Sequence, residues 1–119
     1  MKFVFYGKPL TKSNVKICNK NKRFYLPMEY KRYEQGLQYQ FVRQRPAGFK
    51  MLTGELKVIM SFYFPDNHRR DLINYPKSFC DAFNNLIWED DSQIVEVYLF
   101  KFIDSSAPRV ELTVSSKQG

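Results

Sequence analysis

The sequence predicts an α+β fold, a mixed β-sheet packed by two main helices in the order β, hairpin, α, β, α, β, β. Three observations carry this expectation. At 119 residues, with 44% hydrophobic and 17% aromatic content, the chain is long enough for one core and short for two, so residues 1–119 form a single domain. Long β-prone runs, ELKVIMSFYFP and QIVEVYLFKFI, lie in the second half. Two segments with helical spacing of apolar side chains precede and separate them.

Taken in order, KFVFYG is an aromatic-rich strand ended by Gly7 and Pro9. VKICNKNKRFYL, from Val15 to Leu26, suits a hairpin with a polar, basic tip. After Pro27 the spacing of Tyr30, Tyr33, Leu37 and Phe41 predicts a helix that Pro46 and Gly48 end. Residues 55–65 form a strand, and Asp66 to Arg70 a charged loop at its end.

Asn74 is a good N-cap for the second helix, because Pro76 then falls in the first turn, where a missing N–H costs nothing. An apolar stripe of Pro76, Phe79, Cys80, Phe83 and Leu86 packs on the sheet, and Ile73 at its border is expected to extend that packing. Asn74, Lys77 and Asp81 share the opposite side. Beyond Trp88 and the acidic turn EDD, QIVEVYLFKFI and RVELTVSS are expected to close the fold as a hairpin. If the strands ending at Phe64 and starting near Gln93 are parallel neighbours, the helix between them is a crossover.

Charge is polarised along the chain. Residues 1–50 carry twelve Lys or Arg and only Glu29 and Glu34, whereas the remainder holds seven basic and ten acidic residues. A basic half attracts a polyanion, since cations that replace counterions on a phosphate backbone supply most non-specific affinity; a solvated basic surface is the plainer alternative. Cys18, Cys80 and the lone His68 give neither a zinc-ligand set nor a convincing nucleophile pair, and two reduced thiols are expected. No apolar run is long enough for a signal peptide or a membrane helix, so a cytoplasmic protein with no membrane partner is expected.

Six of the twelve acids fall between Asp66 and Ile94. Crowded carboxylates repel and raise one another's pKa unless a cation stands among them. A hard divalent ion such as Mg²⁺, held by one or two carboxylates with waters and phosphate oxygens, would give Glu89, Asp90 and Asp91 a reason to be adjacent. A capped surface turn is the alternative. Arg69, Arg70 and the start of the second helix add an anion-binding setting beside Asp71. Lys77 is placed either to neutralise a phosphate or simply to pair with Asp81 at i+4.

The stretch RRDLINYPKSFCDAFNNLIWEDDSQIVEV resembles the RusA-type Holliday junction resolvases, the crossover junction endodeoxyribonucleases of bacteria and phages. It is similar to that family's pattern of basic residues, Asp-x-Asp-Asn, a Lys, Asp-Ala-Leu, an aromatic, Asp-Asp and Gln-Ile/Val. YGKPLTKSN and KRFYLPMEYKRYEQ resemble the family's N-terminal portion more weakly. The resemblance implies a homodimeric Mg²⁺-dependent endonuclease, Mn²⁺ being an alternative ion, that nicks four-way DNA junctions symmetrically. A C2 dimer suits a junction whose scissile phosphates are two-fold related. By position, Asp71 and Asp91 are implied as metal ligands, Lys77 as the catalytic cation and Asp90 as a further ligand or supporting group, with Asp81 also matching.

One position departs: Ile73 stands where the family has its second acid, and an alkyl side chain neither binds Mg²⁺ nor accepts a proton. A junction-binding protein without turnover, and an accessory nucleic-acid module, are the competing expectations. Lys12, Lys16, Lys20, Lys22, Arg23, Lys31, Arg32, Arg69 and Arg70 are candidate DNA contacts, and Phe24 or Tyr25 could stack on opened bases.

Overall fold

The computed structural model describes residues 1–12 and 28–117, together with the backbone of 17–18 and 24–25. Strand β1 (Lys2–Tyr6) is followed by the short pair β2 (Ile17–Cys18) and β3 (Phe24–Tyr25), then helix α1 (Met28–Gln44). Strand β4 (Leu56–Phe64), helix α2 (Tyr75–Asp81), strand β5 (Ile94–Ile103) and strand β6 (Arg109–Ser116) complete the order. This is the expected α+β arrangement. β2 and β3 pair antiparallel as two residues each; the rest of the expected hairpin, including its basic tip, lies outside the described residues.

The main sheet runs β1-β6-β4-β5, with β4 and β5 parallel and the other pairs antiparallel. β5 and β6 therefore do not form the expected closing hairpin. The burial of the two strands gives the reason. β6 alternates strictly, sending Val110, Leu112 and Val114 into the core, which suits a strand with neighbours on both sides. β5 has no such alternation and takes the edge.

Alternate residues of β4 (Leu56, Val58, Met60, Phe62, Phe64), with Phe3 and Phe5 of β1, make the sheet's inner face. On it lie Leu37 and Phe41 of α1 and Phe79 of α2, with Phe83 and Trp88 beyond. Edge-to-face contacts such as Phe5–Phe79 at 5.5 Å and Phe79–Phe83 at 5.0 Å add directional attraction to the area buried.

α1 does a second job. Gln44 accepts from the Val4 N–H at 2.8 Å and donates to its carbonyl at 2.7 Å, and Gln40 does the same for Tyr6 at 2.7 and 2.9 Å. Two glutamines thus satisfy the outward backbone groups of edge strand β1, where another strand would otherwise dock.

α2 starts where the sequence places it, with Asn74 at the N-cap and Pro76 in its first turn, but it ends at Asp81 rather than running through the apolar stripe to Leu86. Asn85 takes a left-handed backbone (φ 67°), which only Gly, Asn and Asp adopt readily, and its N–H donates to the Trp88 carbonyl at 2.6 Å. The resulting turn carries Ile87 and Trp88 into the core, and the Trp88 ring N–H donates to the Asn84 side chain at 3.0 Å. Cys80 is a free, buried thiol, pushed up to about 12 chiefly by desolvation. Among the described residues no helix is long and apolar enough to cross a membrane.

Candidate active site

The parallel pairing of β4 with β5 requires the chain to cross over between them, and that crossover builds the site. From Phe64 the chain enters a loop whose Arg70 guanidinium is buried. It pairs with Asp66 at 2.7 Å, donates to the Asp66 and His68 carbonyls and lies 4.7 Å over the Phe64 ring. Arg70 thus braces the loop from within, while Arg69 is exposed. The Arg70 pairing, with the His68 N–H, holds the Asp66 carboxyl below its usual range.

A single 3-10 turn, Leu72–Asn74, leads into α2, with Asp71 at its N-cap position making no side-chain capping bond. Ile73 projects from this turn and is 77% exposed, so it does not extend the core as its apolar character suggests. It lines an open cavity of about 370 Å³ with Thr11, Lys12, Asn74, Lys77, Ser78 and Asp81.

α2 presents Lys77 and Asp81 one turn apart, and they bond at 2.9 Å. The three adjacent acids after Trp88 point to different partners, which answers the crowding problem. Glu89 is exposed. Asp90 caps the next 3-10 turn (Asp91–Gln93), accepting from the Ser92 N–H at 2.9 Å, while Gln93 accepts from the Glu89 and Asp90 N–H groups. The bonds from Ser92 hold the Asp90 carboxyl below its usual range. Asp91 instead reaches back to α2, its Oδ2 accepting from Lys77 Nζ at 2.8 Å. Asp90 faces a separate cavity bounded by Leu52, Gly54 and Gln93, and Gln93 pins that turn by donating to the Leu52 and Gly54 carbonyls.

The segment after β1 joins from the other side. Lys12 Nζ lies 3.2 Å from Asp81 Oδ2, its N–H donates to Ser78 Oγ at 3.0 Å, and Thr11 Oγ1 donates to the Asn74 carbonyl at 2.8 Å. Two ammonium groups and two carboxylates therefore alternate as Lys12, Asp81, Lys77, Asp91. Asp91 and then Asp81 raise the Lys77 pKa above its ordinary value and keep it cationic. Burial works against ionisation of Asp81, but hydrogen bonds from Lys77, the Asp91 contact and Lys12 outweigh it and hold the carboxyl below the usual carboxylate range.

The structure brings together Lys77, Asp91 and Lys12 of the sequence-predicted residues. It adds Asp81, which in the sequence matches the family pattern and stands at i+4 from Lys77, and the Thr11–Ser78 support, which no sequence signal marks. Asp71 is exposed and Asp90 is directed elsewhere. Lys31 and Arg32 are exposed on α1, whereas Lys16, Lys20, Lys22 and Arg23 and the side chains of Phe24 and Tyr25 lie outside the described residues. Among the described residues no three His, Cys, Asp or Glu converge as a metal cage.

The crossover thus carries two carboxylates bonded to one lysine, and comparison with known proteins assigns the chain to a family. The family described as Endodeoxyribonuclease RusA matches over residues 6–115, so the chain belongs to the RusA endodeoxyribonuclease family. An uncharacterised Bacillus subtilis (strain 168) protein, YqaN, is 27% identical over 96% of this chain and 94% of its own length. The crossover junction endodeoxyribonucleases of Escherichia coli (strain K12) and Enterobacteria phage 82 are each 34% identical, across 54% of this chain and 54% of theirs.

Proposed function

We propose that the chain is a structure-selective endodeoxyribonuclease that resolves four-way DNA junctions by paired, Mg²⁺-dependent phosphodiester hydrolysis, acting as a homodimer. The observation that carries this reading is the pair Asp81 and Asp91 held on Lys77 in a member of the RusA family.

Two hard carboxylates with open solvent beside them suit Mg²⁺, or Mn²⁺, which keeps several waters and takes substrate phosphate oxygens in place of a protein cage. Asp91 and Asp81 would hold the ion, with Asp90 ordering the turn that presents Asp91, while Asp71 stands exposed on the neighbouring turn. When bound, such an ion activates water and neutralises charge on the phosphodiester.

The chain's own residues do the rest. Lys77, kept cationic by its two carboxylates, is not a proton acceptor; it supplies positive charge to the phosphate under attack. Lys12 carries the same charge from the opposite wall, and Arg69, Lys31 and Arg32 offer exposed charge to the flanking backbone.

A second reading, junction binding without turnover, is favoured by one observation: Ile73 puts an alkyl group on the cavity wall where the family has an acid. A synthetic four-way junction and matched duplex, each with and without Mg²⁺, separate the two. Metal-dependent paired nicks in the junction alone support the enzyme; tight junction binding with no nicks supports the binder.

A further inference from the structure

The cavity bordered by Ile73 takes in Lys12, Lys77 and Asp81 but not Asp91, and so sets two ammonium groups against one carboxylate. Asp91 faces a different cavity, beside Met60, Ile94 and Val97, and Lys77 is the wall that the two share. An acid at position 73, as the family has, would bring the charge of the first cavity to zero. Ile73 leaves it positive, and its exposed alkyl group has no core packing to account for it.

The hydrogen-bonding capacity left over on this wall consists of donors. An ammonium carries three N–H groups. Lys12 uses one on Asp81, and Lys77 uses one on Asp81 and one on Asp91, so among the described residues two remain on Lys12 and one on Lys77. Asn74 adds a side-chain amide that makes no capping bond. Asp81, the carboxylate of the wall, has each oxygen engaged by a different ammonium. A cavity of this kind suits a ligand that only accepts.

Lys12 is also fixed in place. Its backbone N–H donates to Ser78 Oγ at 3.0 Å, and Ser78 bonds in turn to Thr11 at 3.2 Å, both side chains buried between the segment after β1 and α2. The Lys12 ammonium lies 6.0 Å over the Tyr30 ring. A cation held from its backbone loses little freedom when a ligand arrives.

We propose that this cavity seats one phosphodiester of the DNA backbone, a neighbour of the one that is cut, with Lys12 as its principal ligand and Lys77 bordering both phosphates. The single excess positive charge matches the single negative charge of a diester, whereas a phosphate monoester carries nearly two. Ile73 acquires a role in this arrangement. Replacing an acid by an alkyl group turns the wall from one that attracts cations into one that attracts anions, so position 73 sets the sign of the ligand and Lys12 grips the strand. The identity of the ligand as DNA rests on the junction-nuclease reading; the preference for an anion does not.

The test uses the full chain in metal-free buffer, where binding is read without cleavage, on four-way junctions that each carry one neutral methylphosphonate at a successive backbone position around the branch. Wild type should lose roughly tenfold in affinity when the phosphate seated at Lys12 is the one neutralised. Lys12→Ala should bind the unmodified junction more weakly, with a salt slope shallower by about 0.9. It should also become indifferent to that one methylphosphonate while still responding to the others, a selectivity that a merely structural role would not produce. Ile73→Asp should show the same indifference, and, being at an exposed position, it decides the matter if Lys12→Ala misfolds by circular dichroism. Variants that bind as wild type, or that lose affinity yet respond to the same methylphosphonates as wild type, overturn the proposal. Tight binding of inorganic phosphate that Lys12→Ala abolishes would overturn it too, by making the cavity a monoester site. Nicking with Mg²⁺ is scored separately: a Lys12-dependent methylphosphonate position without nicks leaves the phosphate seat standing and refutes the nuclease, and paired nicks without such a position do the reverse.

Discussion

Lys77 Nζ is bonded to Asp91 Oδ2 at 2.8 Å and to Asp81 Oδ1 at 2.9 Å, so one ammonium ties helix α2 to the turn that opens β5. Lys77→Ala removes the cation between two carboxylates. Its side chain is largely exposed, so the stability cost stays within about 1 kcal/mol, whereas nicking falls on the order of 100- to 1,000-fold. Lys77→Arg recovers part of the rate. Single-turnover nicking beside thermal unfolding measures both. The Lys77 pKa is raised on folding, so its contribution to stability is present below the unfolded value of 10.5 and is lost only as pH climbs through the higher folded value.

If Mg²⁺ is held at Asp81 and Asp91 as proposed, it stabilises the folded chain by mass action, and the unfolding temperature should rise with added ion and without DNA. Asp91→Asn and Asp81→Asn each reduce that shift. Asp90→Ala, which removes the cap of a neighbouring turn, leaves most of it in place while lowering the starting unfolding temperature.

Ile73→Asp tests the alkyl group on the cavity wall. Because Ile73 is exposed, the substitution moves stability by no more than about 0.5 kcal/mol. The expected result is a higher rate of nicking at low Mg²⁺; an unchanged Mg²⁺ dependence would show that this position adds nothing to ion binding.

Acid sensitivity has a nameable contributor far from the site. Asp104 is held down to about 2 by Ser106 and Arg109, with further bonds from the Ala107 and Ser106 N–H groups. A depressed carboxylate stabilises fully above its unfolded value of 3.8 and ceases to do so as pH falls through about 2. Asp104→Asn should flatten the loss of melting temperature between those values. Asp81 and Glu111, also depressed, keep the slope from vanishing.

Much of the fold was legible because its signals are local. The stripe of Tyr30, Leu37 and Phe41 does mark the buried face of α1, and Asn74 with Pro76 does mark the start of α2. What was not legible depends on distant partners. Periodicity could not tell that the helix stops at Asp81, because the left-handed Asn85 and the pull of Trp88 into the core decide it. Nor could it tell that β6 inserts between β1 and β4, since pairing is chosen by which strand has a fully buried face. In the site, adjacency in sequence misled: Asp90 and Asp91 are neighbours with opposite employment, while Lys12 and Asp81, far apart in the chain, are in contact. Ile73 looked like core from composition, and only its position on a protruding 3-10 turn makes it surface.

The central claim is that Asp91, held on Lys77, serves metal-dependent cleavage of branched DNA. The most direct measurement places wild type and Asp91→Asn on a labelled four-way junction, with and without Mg²⁺, and counts nicks per strand at equal bound fraction. The account predicts paired, Mg²⁺-dependent nicks from wild type and a loss of at least 100-fold in Asp91→Asn with binding retained. Equal nicking by the two proteins, or nicking by wild type that ignores Mg²⁺, would contradict it.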